Sequence, residues 1–398
     1  MTNKLRHRVA IMDKPRFQKG ISLIEVMVGL AIAMLLFLVI SGVFMNFENQ
    51  KRITSLSSDT QSSGVMAIFE LEQAIRSAGA GIVSEDSFDC NPAKTFSYFR
   101  NIDATPAELS PVPGYGQYFV PAVITNNNSN GSDTLEIRVG APVANSVPTE
   151  LAQKIFKAEP NAEELIVKRG QGFPVGSVLM LVNGDTCAVV EVTDVPDPAQ
   201  PNLMSIAPPT TITNTWNPSL AYKNTNNWPD FVKEGTYVYT PGPSTGMVFR
   251  TYSVNASGQL QVVNSKAGAA TTTEVLVGDV VSFHAQYGVS SAAGVQDIAN
   301  WVEPTGNFAP ANLTADRAKQ IKAIRLVIVM RSPKLEPANT TGTCVNNAGT
   351  NNGPCAWADT AADPSPLIDL SGDTNWHRYR YRTFQTIIPL RNTISTGV

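Results

Sequence analysis

An uninterrupted apolar segment near the N-terminus constrains this chain more than any other feature. No polar side chain interrupts Val26–Ile40, and residues 1–20 hold six basic groups and one acidic group. A helix over residues 21–45 would be about 37 Å long, enough to cross the hydrocarbon layer of a membrane. Because basic residues stay on the cytoplasmic side, we expect the N-terminus to face inward and the residues after this segment to be exported.

Two simpler interpretations of the segment are a cleaved signal peptide and an ordinary membrane anchor. A signal peptide has a shorter apolar region followed by small residues, whereas residues 44–48 read FMNFE. A plain anchor fits the length but does not account for Glu25, a carboxylate within the apolar segment. Such a group indicates a functional site with a partner, unless it lies at the headgroup boundary, where it costs little. Its position alone leaves both interpretations open.

The residues around Glu25 favour the functional interpretation. The hexapeptide GISLIE at 20–25, preceded by a basic leader and followed by the apolar run, resembles the class III signal of type IV prepilins. The resemblance implies that a prepilin peptidase cuts between Gly20 and Ile21, and that the new N-terminus at Ile21 is methylated. It also implies that Glu25 pairs with the amine of Ile21, or with that of a neighbouring subunit, during assembly.

Two features of the leader differ from the usual family pattern. The family usually has Phe at the position of Ile21, although other apolar residues occur there. The leader of 20 residues is long, and Met12 is a second possible start that would give a leader of Met12 to Gly20.

Residues 46–80 are predicted to continue the helix as an amphipathic segment. Val65 and Phe69 are spaced i to i+4, as are Leu71 and Ile75, and Met66 lies three residues before Phe69. This spacing predicts one helix from about 21 to 78 whose second half packs one face against a globular domain. A bend or local melting is expected at residues 41–42, and a stop at residues 79–81.

The exported part, residues 81–398, is predicted to be a β-rich globular domain, which makes the fold class α+β. With 43% hydrophobic and 16% charged residues, the chain is too apolar for intrinsic disorder, and it lacks the long heptads of a coiled coil. A weak boundary near 195–235 allows either one elaborated domain or two lobes. Runs rich in Val, Ile, Tyr and Phe predict strands at 117–125, 134–139, 164–168, 177–182, 188–193, 236–240, 247–254, 259–264, 280–289, 322–331 and 380–390.

Four of these runs resemble large minor pilins of the PilW type, and they are also similar to J-type pseudopilins of type II secretion. They are residues 133–139, 249–254, 280–289 and 386–392. The resemblance implies a low-abundance subunit at the tip of a type IV pilus. Its implied partners are other minor pilins, the major pilin, the prepilin peptidase and a tip adhesin. It further implies an inner-membrane location with a periplasmic domain before assembly, and the pilus afterwards.

Two alternative functions remain beside a pilus subunit. One is a minor pseudopilin of a secretion system, for which the large, loop-rich exported domain is a poorer fit. The other is a membrane-tethered enzyme or surface-binding module, which would bind through Trp216, Trp228 or the loop at 344–355.

The four cysteines lie beyond the membrane segment, in a compartment that is oxidising. They are Cys90, Cys187, Cys344 and Cys355, and three pairings into two disulfides are possible. The short loop between Cys344 and Cys355 favours that pair, which leaves Cys90 with Cys187. No C-x-x-C spacing supports a redox or zinc site.

Motifs for catalysis, metals or nucleic acids are weak, and we expect no enzyme activity, cofactor or metal. Residues 242–246 match G-x-S-x-G, but β-like residues on both sides favour a hairpin loop over a nucleophile elbow. His284 and His377 are interpreted as structural. The acidic residues fit turns better than a calcium loop, and they are Asp194, Asp197, Asp369 and Asp373.

Three arginines near the C-terminus, Arg378, Arg380 and Arg382, alternate with tyrosines. On one strand this alternation would place the arginines on one face. Nucleic-acid binding there is less favoured than an interface strand or a solvated face, because net charge is −3 over the whole chain.

Overall fold

The structure is a computed structural model, and the chain divides into two compact units, residues 1–57 and 58–398, which are described separately. The described residues are 20, 22–81, 95–97, 120–126, 131–141, 149–156, 163–168, 173–184, 186–195, 199, 203–205, 234–243, 248–266, 270–347, 349–357, 359–360, 363 and 365–391.

Helix α1 spans Leu23–Ser77, 55 residues, and it runs through both units. It remains helical through residues 41–42, so the prediction of local melting there was wrong. The predicted bounds of 21 and 78 lie close to the observed ones. The helix stops where Gly79 and Gly81 adopt φ values of +77° and +70°, a left-handed conformation that glycine accepts without steric cost.

The rest of the described chain is mostly strands, with one short α-helix, α2 (Ala315–Gln320), and three short 3-10 helices. The strands are β1 (Thr95–Ser97), β2 (Ala122–Thr125), β3 (Thr134–Val139), β4 (Thr149–Phe156), β5 (Glu163–Val167), β6 (Ser177–Asn183), β7 (Thr186–Glu191), β8 (Leu203–Ser205), β9 (Tyr237–Pro243), β10 (Val248–Val254), β11 (Leu260–Lys266), β12 (Thr272–Val277), β13 (Val280–Val289), β14 (Asn300–Val302), β15 (Ile321–Arg331), β16 (Cys344–Asn346), β17 (Gly349–Asn351) and β18 (Tyr381–Pro389). Together with α1 they confirm the predicted α+β class.

Three larger sheets and one hairpin organise these strands. The seven-stranded sheet has the order β1-β7-β6-β9-β4-β5-β8, and only its β1–β7 pair is parallel among the described strands. The five-stranded sheet has the order β12-β11-β10-β3-β2, and the four-stranded sheet has the order β14-β13-β15-β18. β16 and β17 form a separate hairpin.

Two hydrophobic clusters form the main cores. The first combines side chains of the second half of α1 with the five- and four-stranded sheets. The second lies within the seven-stranded sheet and includes Leu151, Leu165, Leu181 and Val238. The boundary near 195–235 stays a prediction; β7 and β9, on either side of it, both belong to the seven-stranded sheet, as does β8 within it.

The strand predictions differ from the structure in two instructive places. β4, with the sequence TELAQKIF, was missed because Glu, Lys and Ala are depleted in strands, and its pairing with β5 and β9 overrides that preference. The expected hairpin at 242–246 was also wrong. β9 and β10 flank it as predicted, but they belong to different sheets. At Gly242, φ is +106° and an added Cβ would overlap the carbonyl of Ala141, so this position requires glycine.

Candidate assembly surfaces

The first candidate surface is the apolar first half of α1. The large apolar side chains from Leu23 to Phe47 are 49–78% exposed. Among the described residues, α1 is the one helix long and apolar enough to span a membrane, with a mean hydropathy of 2.9 in its most apolar window. An apolar surface of this extent requires a membrane or other proteins to cover it.

Glu25 lies in the first turn of α1, at the start of this apolar surface. Its backbone N–H donates to the carbonyl oxygen of Ser22 at 3.0 Å, and its side chain is exposed. An acidic side chain in the first turn is favoured by the helix dipole by about 0.3–1 kcal/mol. Gly20, before the predicted cleavage site, is exposed; Ile21 and the rest of the leader, residues 1–19, lie outside the described residues.

The second half of α1 packs on the globular unit through a face of small and medium side chains. Ala67, Leu71, Ala74, Ile75 and Ala78 are each 0–1% exposed. Each of them lies three or four residues from another member of the set, which is the spacing of one helix face. The alanines allow the helix to approach the sheets closely, so this face joins the first core cluster.

Three residues that the spacing assigned to the buried face of α1 are exposed instead. Val65, Met66 and Phe69 are 58%, 68% and 65% exposed. The prediction was right for Leu71 and Ile75 but wrong for these three, because it followed large side chains and passed over the alanines. They form an exposed apolar patch, here called the 65–69 patch.

A groove of about 240 Å³ borders the 65–69 patch. Met66 and Glu70 of α1 line one side, and Arg250, Tyr252 and Glu274 of the five-stranded sheet line the other. Burial raises the pKa of Tyr252, the deepest of these side chains. The groove combines apolar walls with charges of both signs.

The four-stranded sheet is covered on both faces. Ile324, Leu326 and Ile328 of β15 point into the core shared with α1. Val327 and Val329, on the other face, pack against residues after β15, including Ala356 and Ile368. The region after β15 therefore forms a second layer on the sheet.

Arg325 of β15 fastens this second layer to the sheet. It is 8% exposed, and its Nη1 and Nη2 donate to the two carboxylate oxygens of Asp363 at 2.9 and 2.6 Å. Its Nε donates to Oε1 of Gln286 at 3.1 Å. The guanidinium also lies 4.7 Å from the ring centroid of Trp301 and 4.2 Å from that of Trp357. A buried cation that is paired, hydrogen-bonded and stacked in this way holds one fixed geometry.

One disulfide lies in the same layer, and a further cysteine is bonded elsewhere. Cys344 and Cys355 are bonded with their Cα atoms 5.6 Å apart, which confirms that predicted pair. Inside the loop, buried Asn351 donates to the carbonyl of Cys344 at 3.0 Å and accepts from the backbone N–H of Ile368 at 2.6 Å. Cys187, buried in β7, is also disulfide-bonded, whereas its predicted partner Cys90 lies outside the described residues.

His284 lies in β13 beside the buried carboxylate of Asp133. Its Nδ1 is 3.4 Å from Oδ2 of Asp133, and the same oxygen accepts from the backbone N–H of Ala285 at 2.9 Å. Burial raises the pKa of nearby Glu303, partly offset by a hydrogen bond from Gln286. The arrangement joins residue 133 to β13, as expected of a structural histidine. His377 stacks edge-on against Trp376.

The three C-terminal arginines do not share one strand face, which corrects that prediction. Arg378 belongs to a 3-10 helix at Trp376–Arg378, and β18 begins only at Tyr381. The Nε of Arg378 donates to the carbonyl of Glu336 at 2.9 Å, and the Nε of Arg380 donates to its carboxylate at 2.8 Å. The hydroxyl of Tyr381 donates to the carbonyl of Trp376 at 2.9 Å, a contact that alternation does not reveal.

The acidic residues considered for calcium take part in local turns. Asp194 accepts from the backbone N–H of Val195, and Asp369 accepts from Ser371. Asp373 accepts from Asn375 and from Arg331. No cluster of three metal-ligating side chains occurs within the described ranges. Asp197 and the candidate binding residues Trp216 and Trp228 lie outside them.

Comparison with known proteins gives two family matches. Residues 250–392 match the family model described as type IV pilus-assembly protein W, and residues 15–41 match the prokaryotic N-terminal methylation motif. No curated protein matches the chain. Among solved structures, a type IV-like pilin from Thermus thermophilus is 16% identical, covering 38% of this chain and 70% of that one at a TM-score of 0.22.

The two family matches cover different parts of the chain. The methylation motif covers residues 20–25 and the apolar start of α1, whereas the assembly-protein match covers β11–β15, β18 and the layer fixed by Arg325. Both are families of structural rather than catalytic domains. The chain thus carries a type IV pilus-assembly protein W domain at residues 250–392 and a prepilin methylation motif at residues 15–41.

Proposed function

We propose that this chain is a minor pilin that primes assembly at the tip of a type IV pilus and thereby supports motility or adhesion. The observation that carries the proposal is the exposed apolar half of α1, which follows a prepilin motif and has Glu25 in its first turn. A subunit of this design can leave the bilayer only when neighbouring subunits cover the same surface. The proposed partners are other minor pilins, the major pilin and a tip adhesin.

In this proposal the prepilin peptidase first cuts between Gly20 and Ile21, and Ile21 is then methylated. The freed amine lies four residues before Glu25, a separation that places both near the start of the helix. Pairing of Glu25 with this amine, or with that of a neighbour, fixes the register of the helices. In low dielectric, leaving one partner alone costs about 3–5 kcal/mol, which strongly disfavours other registers.

The 65–69 patch supports the same role. Val65, Met66 and Phe69 are exposed on a helix whose other face is buried in this chain's own core. In a filament they would contact adjacent subunits, while the globular unit selects which subunits those are.

Mass spectrometry of the mature N-terminus tests the proposal. We expect the membrane and filament fractions to contain a chain that begins at methylated Ile21. A chain that starts at Met1 or Met12 in the filament, or one released well downstream of α1, would overturn it. The filament in which the chain is found distinguishes a pilus from the alternative, a type II secretion pseudopilus.

A further inference from the structure

The outer edge of β18 is a long, regular strand edge. β18 has nine residues and pairs with β15 from Tyr381 to Pro389 without a register shift. No other described strand pairs with its second edge. The other sheet edges, β1, β2, β8 and β14, have three or four residues, and β12 joins its sheet with a register shift.

The backbone groups that point outward can be assigned from the ladder. Leu390 donates to the carbonyl of Lys322, and Ser332 donates to that of Arg380, both at 2.8 Å. In an antiparallel pair, hydrogen-bonded positions alternate, so even-numbered residues of β18 bond to β15. The N–H and C=O groups of Thr383, Gln385 and Ile387 therefore point away from the sheet.

The side chains of the outward-pointing residues are also exposed. Thr383 and Gln385 are exposed, and Ile387 is 55% exposed, which is high for a large apolar residue in a strand. An added strand would cover Ile387 and bond to the outward groups. Pro389 has no N–H and would end the pairing, which leaves about 20 Å of edge at about 3.3 Å per residue.

Charge indicates the chemistry of the added strand. Residues 380–391 contain three arginines and no acidic residue, and all three arginines are exposed. Arg380 is paired with Glu336, and Arg382 also has a partner within the chain. Natural proteins usually shorten, bulge or cover such an edge, because an open one recruits other chains.

We propose that the outer edge of β18 is a strand-addition site for an extended, acidic segment of a neighbouring filament subunit. The inference rests on the proposed function, since it places the neighbour in the filament. Main-chain hydrogen bonds would supply affinity, and the arginines with Ile387 would supply selectivity.

Hydrogen–deuterium exchange with residue-level fragmentation tests the pairing. The full-length chain is compared in detergent micelles and in sheared filaments. Amides of Thr383, Gln385 and Ile387 should slow at least about tenfold in filaments, since each gains a hydrogen bond. The amides of Phe384 and Thr386, which already bond to β15, provide the internal reference. Equal exchange in both samples would overturn strand addition, whereas absence of the chain from filaments would overturn the proposed function as well.

A matched pair of variants tests the same edge in cells. Gln385→Pro removes an outward N–H without breaking a bond to β15, and Gln385→Ala keeps that N–H. We expect the Pro variant to lose at least about tenfold in filament incorporation while the Ala variant incorporates normally. Thr383→Pro repeats the test if Gln385→Pro lowers the melting temperature in micelles. Normal incorporation of a folded Pro variant would refute the proposal.

Charge substitution tests the acidic nature of the partner segment. Arg391→Glu should reduce incorporation, and Arg391→Lys should preserve most of it, because only the first reverses the charge. If both variants incorporate equally, the partner segment is not acidic, and the proposal in its stated form fails.

Discussion

Gly64 of α1 and Phe384 of β18 pack so closely that a Cβ added to Gly64 would overlap the aromatic ring. Such a Cβ would lie well within 3.0 Å of the nearest ring atoms, whereas real Cβ atoms essentially never come that close to another heavy atom. The contact joins the helix to the edge strand of the four-stranded sheet. Since glycine costs a helix interior about 1 kcal/mol relative to alanine, its presence here reflects the need for close approach.

We predict that Gly64→Ala destabilises the globular unit. Overpacking of this kind costs about 1–3 kcal/mol, and the gain in helix propensity offsets only part of it. Denaturant unfolding of the full-length chain in micelles measures the change. Gly42→Ala is the control, because nothing lies within 4 Å of a Cβ there. The double variant Gly64→Ala with Phe384→Leu should recover part of the loss; no recovery would show that the ring is not the cause.

A second prediction is that substitutions on the buried and the exposed face of α1 differ in their effect on the free energy of unfolding. Leu71→Ser should cost about 2–5 kcal/mol, because Leu71 is completely buried. Phe69→Ser should change the free energy of unfolding by less than about 0.5 kcal/mol, because Phe69 is 65% exposed. Denaturation in micelles measures both. Comparable losses in the two variants would mean that the 65–69 patch is buried in the subunit alone.

The two faces of α1 also show what the sequence could and could not predict. The helix itself followed from the apolar run and glycine stops, which are local signals. Its buried face depends on which side chains are small enough to let a sheet approach, and alanines carry little weight in a hydrophobic pattern. Large exposed residues such as Phe69 therefore looked like core.

Contacts between residues far apart in the chain could not be predicted from the sequence, for a different reason. Arg325 bonds to Gln286 and Asp363, which are 39 and 38 residues away along the chain. Nothing local to any of the three indicates the others, whereas the Cys344–Cys355 pair, 11 residues apart, was predictable from its short loop. The roles of Gly20, Ile21 and Glu25 came from the motif and stay predictions.

A third prediction concerns the Cys344–Cys355 disulfide. The double variant Cys344→Ser/Cys355→Ser should lose about 2–3 kcal/mol, as expected for a loop of this length. Hydrogen exchange should increase at Ile368, whose amide bonds to Asn351 inside the loop. Val345→Ser, at a position 73% exposed on the same hairpin, should leave both quantities unchanged. Unaltered exchange at Ile368 in the double variant would show that the disulfide does not stabilise this part of the layer.

A fourth prediction uses the pH dependence of Glu191 in β7. Burial raises its pKa from an ordinary 4.5 to about 7. Between these values the folded state binds more protons than the unfolded state, so this group lowers stability as pH rises from 4.5 to 7. Glu191→Gln should therefore be more stable than the wild type at pH 8 by about 1–2 kcal/mol, allowing for solvent screening, and equal to it near pH 4.

Asp369 is the control for this prediction, because its pKa is shifted in the opposite direction from that of Glu191. Hydrogen bonds from Ser371 and Asn352 lower its pKa below the ordinary 3.8. Its contribution is present above that value and is lost as pH falls, so Asp369→Asn should be less stable than the wild type at pH 7 and approach it in acid. Thermal melts across pH distinguish the two variants, and parallel pH profiles would contradict both assignments.

The last prediction concerns Glu25, whose carboxylate stands in the first turn of a helix with an exposed apolar surface. Glu25→Gln keeps the shape and removes the charge that would pair with the Ile21 amine. We expect membrane insertion and cleavage after Gly20 to continue, because both depend on the apolar run and the glycine. Filament incorporation should fall at least about a hundredfold, the effect of losing a low-dielectric pair of about 3 kcal/mol or more. Immunoblots of membrane and sheared-filament fractions, with Ser22→Ala as a control beside the same site, measure the partition. Filaments that hold normal amounts of the Gln variant would mean that α1 assembles through its apolar surface alone and that the carboxylate has another role.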